Sequence, residues 1–299
     1  MKVKNTKRNR NKKFTFIDLF AGIGGFHIAF HNVGAECVLA SEWDEHARST
    51  YKTNFENTCP KMFTSGNFVG DITKIDKNAI PDFDILAGGF PCQPFSQAGF
   101  KKGFSDTRGT LFYDIAEIIR IKKPKAFFLE NVRGLLSHDG GKTFETISKV
   151  LTEELGYSLN YKIVKASDHG LPQNRPRLFM IGFRDKDVIF ELPKKRPLEL
   201  TMSDVFGGAK LNREIGFTLR VGGKGSPITD RRNWDSYLVD GNVKRITAKE
   251  GKKMQGFPDD FVFPVSENQA MKQLGNSVAI NAIQDYAQKI IDALNKYYE

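Results

Sequence analysis

The stretch FTFIDLFAGIGGFHIAFHNVG, residues 14–34, decides the fold of this 299-residue chain. Its first seven residues are mostly apolar and β-rich, which predicts a buried strand, and the second half predicts a helix closed by Gly34. Glycines at positions 22, 24 and 25 lie between the two. Since glycine at such a turn lets a ligand approach the backbone, the unit is typical of a nucleotide-binding α/β fold.

Short apolar runs and helical patterns alternate from this unit to residue 186. Further strands are predicted in ECVLASEWD (36–44), DFDILAGG (82–89), AFFLENV (126–132), YSLNYKIVKA (157–166) and RLFMIGF (177–183), with helices up to about residue 54, over 110–123 and over 140–156. Alternating β and α elements predict a Rossmann-like, doubly wound, mixed but mostly parallel sheet.

The charge of the chain, +10 in total, is unevenly placed. Residues 1–13 carry seven Lys/Arg and no acid, and residues 194–253 carry fourteen Lys/Arg against seven acids, so the remainder is net −4. We expect a basic disordered tail over 1–13, a large domain over 14–186 and 267–299, and a small irregular, β-rich domain over 187–266. Charge alone leaves open whether the basic segments bind a polyanion or are simply solvated.

Several classes of protein are disfavoured by composition. No apolar run reaches the length that crosses a bilayer, and no secretory signal follows the basic N-terminus. Three cysteines, at 37, 59 and 92, are far apart and form no CxxC pair. This disfavours a disulfide framework and a zinc site, and it suits a reducing cytoplasm.

The predicted carboxyl edge of the sheet has the residues of an adenosine site without a phosphate cradle. The dinucleotide pattern G-x-G-x-x-G requires glycine at position 27, where the chain has histidine. Glu42, after the second strand, can bind ribose hydroxyls, Trp43 offers a ring face to adenine, and Asp71 can accept a hydrogen bond from an amino group. An adenosine that lacks phosphates and carries positive charge fits this set, so we expect S-adenosylmethionine as the cofactor.

A stiff loop, GGFPCQPFSQAG (88–99), places Cys92 between two prolines at the same edge. An isolated free cysteine is usually inert, whereas a reactive one needs a fixed position and a lowered pKa. Other polar groups fall where strands are expected to end on this edge. They are Glu130 after AFFL, Arg175 and Arg177 in QNRPR, and Asn276 and Ser277 in QLGNS.

These motifs resemble those of the DNA (cytosine-5)-methyltransferases. DLFAGIGG, GGFPCQPFS, ENV, QNRPRLFMIGF, RITAKEGKKMQGFP and QLGNSV occur in the family's order across residues 14–185 and 245–299. The resemblance implies a class I S-adenosylmethionine-dependent catalytic domain and a target-recognition domain over 187–266. It also implies a monomeric, cytoplasmic, nucleoid-associated prokaryotic enzyme that acts on duplex DNA, with a cognate restriction endonuclease acting on the same site without forming a complex.

The resemblance further implies the roles of individual residues. Cys92 would attack C6 of a flipped cytosine, Glu130 would hold the base at N3, and Arg177 with Arg175 would anchor it. The cofactor site would comprise Phe20, Gly22, Gly24, Glu42, Trp43, Asp71, Ile72, Gly89, Pro91, Leu111, Asn276 and Ser277.

DNA contacts are expected in two segments. Gln93 and Ser96 follow the nucleophile, and Thr218 matches a Thr-Leu pair of the family's recognition domain. Further cations, which suit phosphate or guanine, are Arg220, Lys224, Arg231 and Arg232. A glycine-rich hairpin with solvated arginines remains the alternative for this stretch.

Three alternatives stay open at this point. A tRNA cytosine-5 methyltransferase shares the catalytic motifs, although its usual Cys-Phe-Thr element is here Gly216-Phe217-Thr218. A catalytically silent DNA-binding module would have no chemical need for Cys92, Glu130 and Arg177. A cysteine hydrolase would need a histidine base, and nothing marks one of the five histidines, at 27, 31, 46, 138 and 169.

Overall fold

The computed structural model describes residues 13–91, 110–222 and 224–298, and its main feature is a seven-stranded sheet. The strands are β1 Thr15–Leu19, β2 Glu36–Ser41, β3 Phe68–Val69, β4 Ile85–Gly89, β5 Ala126–Val132, β6 Asn160–Lys165 and β7 Pro176–Phe183. Their order is β3-β2-β1-β4-β5-β7-β6, and β7 runs antiparallel to both of its neighbours while the others are parallel. The predicted mostly parallel, doubly wound sheet is confirmed.

Helices cover both faces of this sheet. The α-helices of the described residues are α1 Gly25–Asn32, α2 Glu45–Phe55, α3 Pro60–Thr64, α4 Leu111–Lys122, α5 Lys142–Lys149, α6 Met202–Val205, α7 Ala248–Gln255, α8 Glu267–Asn276 and α9 Ile280–Tyr298. Successive side chains of a strand point to opposite faces, so Phe16 and Phe128 join one core with α1 and α9. Ile17 and Phe127 join the other core with α4 and α5.

The strand order reverses between β1 and β4, which are direct neighbours. From β1 the chain proceeds outward to β2 and β3, and from β4 it proceeds the other way to β5. In open α/β sheets, ligands bind outside the carboxyl ends of the strands at such a switch point. The carboxyl ends of β1, β2, β4 and β5 therefore define where a site is expected.

Residues 187–266 have little regular structure. They contain one two-stranded antiparallel sheet, β8 Ser236–Val239 with β9 Asn242–Arg245, together with helices α6 and α7. Side chains satisfy much of the remaining backbone: Asn233 bonds both the N–H and the C=O of Ser236, and the Trp234 indole donates to Gly222 O. The expected short strands and loops are present, but a β-rich domain is not confirmed, and its boundaries stay a prediction.

Local details differ from the sequence-based expectation. The short elements α3 and β3 were not predicted, because five and two residues are too few to show a periodic pattern. Glu130 and Arg177 lie in β5 and at the start of β7, within the strands predicted over 126–132 and 177–183. Among the described residues, no helix is both long and apolar enough to cross a lipid bilayer.

Candidate active site

The conformation of the turn between β1 and α1 depends on residues with positive φ and on one carboxylate. Phe20, Gly22 and Gly24 have φ values of 57°, 56° and 85°. A Cβ at Gly24 would lie 2.3 Å from the Phe55 ring, so only glycine fits there. Glu42 accepts the Gly22 N–H at 2.8 Å, which fixes the turn against the end of β2.

Glu42 is buried at this point, with 8% of its surface exposed. Its second oxygen accepts the Asp44 N–H at 2.8 Å. Burial raises the pKa of this carboxyl, and the backbone N–H groups of Asp44, Gly22 and Trp43 oppose that rise. The result is an acid whose position is set by the main chain.

A cavity of about 100 Å³ lies beside the turn. This is smaller than the range of about 300–1,000 Å³ that is usual for small-molecule sites, but the cavity shares walls with a neighbouring cleft of about 500 Å³, which lies within that range. Trp43 is 72% exposed although it is a large aromatic residue. The lining comprises Phe20, Ser41, Glu42, Trp43, Gly70, Asp71, Ile72, Pro91 and Leu111, seven of which are predicted cofactor residues.

A larger cleft continues from this cavity and shares four of its walls, Phe20, Glu42, Trp43 and Pro91. Four more of the predicted cofactor residues line it, namely Gly22, Gly89, Asn276 and Ser277. Gly24 lines neither space and instead forms the N-cap of α1. Asp71 lines the first cavity, but one of its oxygens already accepts the Thr73 N–H at 3.0 Å.

The cleft contains the pair Glu130 and Arg177, joined from Oε1 to Nε at 2.9 Å. The register of β5 with β7 sets Glu130 opposite Phe179, so Arg177, two residues earlier, is its diagonal neighbour on the same face. Burial raises the pKa of Glu130, although Arg177 and Arg175 oppose the rise. A raised pKa makes the protonated form of a carboxyl easier to reach, which suits a group that gives a proton to a base.

Gly89 makes room for this carboxyl, because a Cβ at that position would lie 3.1 Å from Glu130 Oε2. Such a contact is tighter than ordinary packing allows, so glycine suits the end of β4 here. One position on, Phe90 O accepts a hydrogen bond from the Asn131 side chain at 2.8 Å. Pro91 and then Cys92 follow Phe90 in the chain.

Arg175 is a buried residue that connects separate segments of the chain by hydrogen bonds, and it is not an exposed cation. It is 2% exposed, and its guanidinium donates to Leu219 O at 3.1 Å, to Gly275 O at 3.0 Å and to Ser277 O. Burial lowers its pKa to about 9. A contact of Arg175 with DNA stays a prediction, whereas its hold on three carbonyls is direct structural evidence for a positioning role.

Three positioning residues escaped the sequence analysis. Asn131 fixes the carbonyl two residues before Cys92, as described above. Gln173, fully buried, donates to Met254 O and accepts the Leu219 N–H, each at 3.0 Å, and Gln255 donates to Leu274 O at 2.8 Å. The available signal was their place inside or next to the ENV, QNRPR and KKMQGFP motifs.

The expected DNA-contacting segment begins at the rim of the cleft. Thr218 donates from its hydroxyl to Asn174 O, and a Cβ on Gly275 would clash with the backbone of Arg220 at 2.7 Å. The predicted cations Arg220, Lys224, Arg231 and Arg232 are all exposed. Arg232 is paired with Asp230 at 2.7 Å. The predicted residues Cys92, Gln93 and Ser96 lie outside the described part of the chain.

Three histidines of the chain are engaged elsewhere. His27 contacts Tyr51 and Cys59, His169 Nδ1 lies 2.7 Å from Asp285 Oδ2, and His138 lies 2.6 Å from the Thr143 hydroxyl. None of the three lines the cleft that contains Glu130 and Arg177. The alternative of a cysteine hydrolase therefore gains no candidate base from these residues.

The fold and the site together define an α/β protein with a cavity at the switch point, lined by Glu42, Phe20 and Trp43, and a buried acid–guanidinium pair beside it. The model of the family described as C-5 cytosine-specific DNA methylase matches residues 14–217 and 213–292. This chain belongs to that family, so it is an enzyme that methylates C5 of cytosine in DNA.

Bacterial relatives agree with this assignment. The type II methyltransferase M.SsoII of Shigella sonnei is 44% identical over 324 residues, which covers 96% of this chain and 82% of that protein. M.HhaI of Haemophilus parahaemolyticus is 39% identical over 320 residues, covering 94% of this chain and 95% of that protein.

Solved structures agree in fold. The Entamoeba histolytica methyltransferase EhMeth has a TM-score of 0.68 at 19% identity, covering 97% of this chain and all of that one. A mutant of Spodoptera frugiperda DNMT2 has a TM-score of 0.68 at 18% identity, covering 95% of this chain and all of that one.

Proposed function

We propose that this enzyme transfers the methyl group of S-adenosylmethionine to a flipped-out cytosine within a short specific sequence of duplex DNA. One observation carries the proposal. The adenosine-type cavity and the Glu130–Arg177 pair open into one cleft, and Pro91, the residue before Cys92, lines both spaces. The bacterial type II relatives support sequence-specific duplex DNA as the substrate.

The residues of the first cavity suit S-adenosylmethionine better than a nucleotide with phosphates. Phe20 and Trp43 offer two aromatic faces to adenine, and Glu42 presents a fixed carboxyl for the ribose. No lysine or arginine is among the described residues that line this cavity, whereas a phosphate would require compensating charge. The cofactor, when bound, supplies an electrophilic methyl group next to the cleft.

Cys92 acts as the nucleophile in this proposal. Its thiol loses a proton, and the thiolate forms a bond to C6 of the cytosine, which breaks the aromaticity of the ring and makes C5 nucleophilic. Glu130 shares its proton with N3 and so stabilises the charge that moves into the ring. C5 then takes the methyl group, which leaves S-adenosylhomocysteine, and water removes the C5 proton. Breakage of the C6–S bond releases the Cys92 thiolate and restores the ring, and the proton on N3 returns to Glu130.

Arg177 and Arg175 have different tasks in this scheme. Arg177 is partly exposed and orients Glu130, so it can also contact the base or its phosphate and favour the Cys92 thiolate. Arg175 holds the carbonyls of Leu219, Gly275 and Ser277 and thereby sets the rim of the cleft. The duplex hides C6, so the base has to be flipped out, at a cost of about a few kcal/mol.

Residues 187–266 serve as the target-recognition domain. Support comes from the exposed cations near the rim and from the direct contact of the Thr218–Val221 segment with α8. Arginine and lysine are the commonest specific readers of guanine and the main partners of phosphate. Residues 1–13, of which 1–12 lie outside the described residues, add non-specific attraction to phosphate.

The cellular setting follows the bacterial relatives, which are type II methyltransferases. We extend the proposal to a monomeric cytoplasmic enzyme at the bacterial chromosome, paired genetically with an endonuclease that cuts the same unmethylated site. The mass of the purified chain in solution tests whether the enzyme is a monomer. Co-expression with the products of neighbouring genes tests whether an endonuclease of the same specificity accompanies it.

A methylation map tests the main proposal. The enzyme is incubated with S-adenosylmethionine and a plasmid of known sequence, and the modified cytosines are located by bisulfite conversion. We expect one cytosine within one short motif, no transfer to an equimolar tRNA pool, and no product from Cys92→Ala. Preferred methylation of tRNA would support the alternative instead.

Trapping of the base tests the covalent step. A duplex with 5-fluorocytosine at the mapped position cannot lose a proton from C5, so the adduct with Cys92 should accumulate in the presence of cofactor. We expect a denaturant-resistant complex with the wild type and none with Cys92→Ala. Full methylation by Cys92→Ala would overturn the mechanism.

A further inference from the structure

Two histidines and one cysteine lie close together near the turn between β1 and α1, and none of them lines either cavity. His27 and His31 lie on α1, and Cys59 directly precedes α3. Their ligand atoms all lie within 4.8 Å of one another. Neither the cofactor site nor the proposed chemistry uses any of the three, so their proximity needs a separate explanation.

The spacing of these atoms suits a tetrahedral metal ion. His27 Nε2 and Cys59 Sγ are 3.3 Å apart. With bonds of about 2.0–2.1 Å to nitrogen and about 2.3 Å to sulfur, a tetrahedral Zn²⁺ sets such a pair about 3.5 Å apart. His31 follows His27 by four residues and therefore lies on the same face of the helix.

The ring of His27 is already fixed in orientation. Its Nδ1 lies 2.5 Å from the Tyr51 hydroxyl, and the Phe55 ring stacks on it with centroids 4.1 Å apart. In the tautomer with the proton on Nδ1, the imidazole donates to Tyr51 and presents the Nε2 lone pair to Cys59. Partners of this kind orient metal-bound histidines and fix their tautomer.

The surroundings are open on one side and favour a cation. His31 is exposed and Cys59 is partly exposed, whereas His27 is 1% exposed. Solvent can therefore reach the cluster and supply a fourth ligand. The charge of Glu36 lies close enough to act on Cys59, and a carboxylate there also attracts a cation.

We propose that His27, His31 and Cys59 bind one Zn²⁺ ion, with a water molecule as the fourth ligand. On binding, Cys59 gives up its thiol proton to solvent and coordinates as the thiolate. The ion would tie α1, which begins at the cofactor turn, to α3. We assign the ion a structural role, because none of its three ligands lines the cleft that contains Glu130 and Arg177.

Titration with Co²⁺, which takes the place of Zn²⁺ and is coloured, tests the proposal on the untagged full-length enzyme after removal of metals by a chelator. We expect one equivalent to bind, with an intense near-ultraviolet band from a thiolate–cobalt bond. Cys59→Ser should abolish that band. His31→Ala should weaken binding by about tenfold or more, since even the loss of an outer-shell partner has an effect of that size.

Matched controls separate this site from other ligands of the chain. His46→Ala removes an exposed histidine of α2, and Cys92→Ser removes the other reactive thiol, so both should bind Co²⁺ as the wild type does. Circular dichroism spectra of His31→Ala and Cys59→Ser show whether they are folded. Binding that survives Cys59→Ser and His31→Ala, or that disappears in Cys92→Ser, would refute the assignment.

Thermal unfolding provides an independent measurement. An ion that binds only the folded state raises the melting temperature. Addition of Zn²⁺ should raise it for the wild type and for His46→Ala, and leave Cys59→Ser unchanged. An absence of any Co²⁺ or Zn²⁺ binding by the wild type would show that the cluster is only a hydrogen-bonded part of the core.

Discussion

The carboxyl edge of the sheet buries charged side chains, whereas the lysines and arginines of residues 217–245 are exposed. At the edge, Glu42, Glu130 and Arg175 are 8%, 8% and 2% exposed, and each is held by backbone groups or by a partner of opposite charge. In the other region, Arg231 and Lys224 extend into solvent.

The difference follows from what each region has to do. Stabilising charge that develops on a base requires groups that are oriented in advance and shielded from water. Attraction to phosphate gains most of its free energy from the release of counterions, which needs cations within reach but not a fixed geometry. Substitutions at the edge should therefore have large and specific effects, and those in the basic segment small and salt-dependent ones.

Glu130→Gln should have the largest effect, a loss of about 10²–10⁴-fold in the rate of methyl transfer, because no acidic proton remains for N3. Single-turnover assays with the mapped duplex measure it. Glu45→Gln, an exposed acid on α2, is the control and should be fully active. Normal turnover by Glu130→Gln would remove this residue from the mechanism.

The same variant should change stability with pH. Burial raises the pKa of Glu130 above its ordinary value of 4.5, so its charged form costs the folded state free energy at pH values above 4.5, and the cost vanishes below. Glutamine removes this cost. The melting temperature of Glu130→Gln relative to wild type should therefore be highest at pH 8 and converge with it towards pH 4.5. The opposite trend would contradict the raised pKa.

Arg175→Ala should destabilise the fold by about 3 kcal/mol or more, because three buried carbonyls lose their donor at about 1–3 kcal/mol each. Arg175→Lys should restore little, since an ammonium cannot reproduce the planar fork. Arg177→Ala is the matched control, expected to lose activity with a smaller change in denaturant midpoint. Equal denaturant midpoints for the two alanine variants would argue against a stabilising role of the hydrogen bonds from Arg175.

Trp43→Ala should weaken cofactor binding by about tenfold, which corresponds to the lower end of the stacking energy of a base on an aromatic ring. The melting temperature should not change, because the side chain is 72% exposed. Calorimetric titration with S-adenosylmethionine measures the affinity, and Tyr161→Ala, which removes another exposed ring, is the control. A large drop in melting temperature would instead assign Trp43 to packing.

Arg231→Ala should have the smallest effect, a loss of a few-fold in DNA affinity. The slope of log affinity against log salt should decrease by about 1, as for one phosphate contact. Arg232→Ala should change less, because Asp230 already neutralises that guanidinium at 2.7 Å. Fluorescence anisotropy over a range of salt concentrations compares the DNA affinities of the two variants. A larger effect of Arg232→Ala would show that Arg232, and not Arg231, contacts the phosphate.

Many residues of the proposed site could be predicted from the sequence because they lie in short motifs. Glu42 and Trp43 follow a strand, and the glycines at 22 and 24 occupy positions with positive φ, so short motifs carry the information. The different roles of Arg175 and Arg177 could not be distinguished from such motifs. Both lie in QNRPR, and only packing shows that one is enclosed by carbonyls while the other pairs with Glu130.

The sequence by itself determined the class of fold, the family and the edge of the sheet at which we propose that the cofactor binds, because strand and helix periodicity and glycine-rich turns act over a few residues. The tertiary structure alone decided which distant side chains meet. The antiparallel register of β5 with β7 sets Arg177 diagonal to Glu130, and the packing of α1 against the start of α3 brings His27 to Cys59. Such contacts depend on how strands are ordered and helices dock, which no short stretch of sequence encodes.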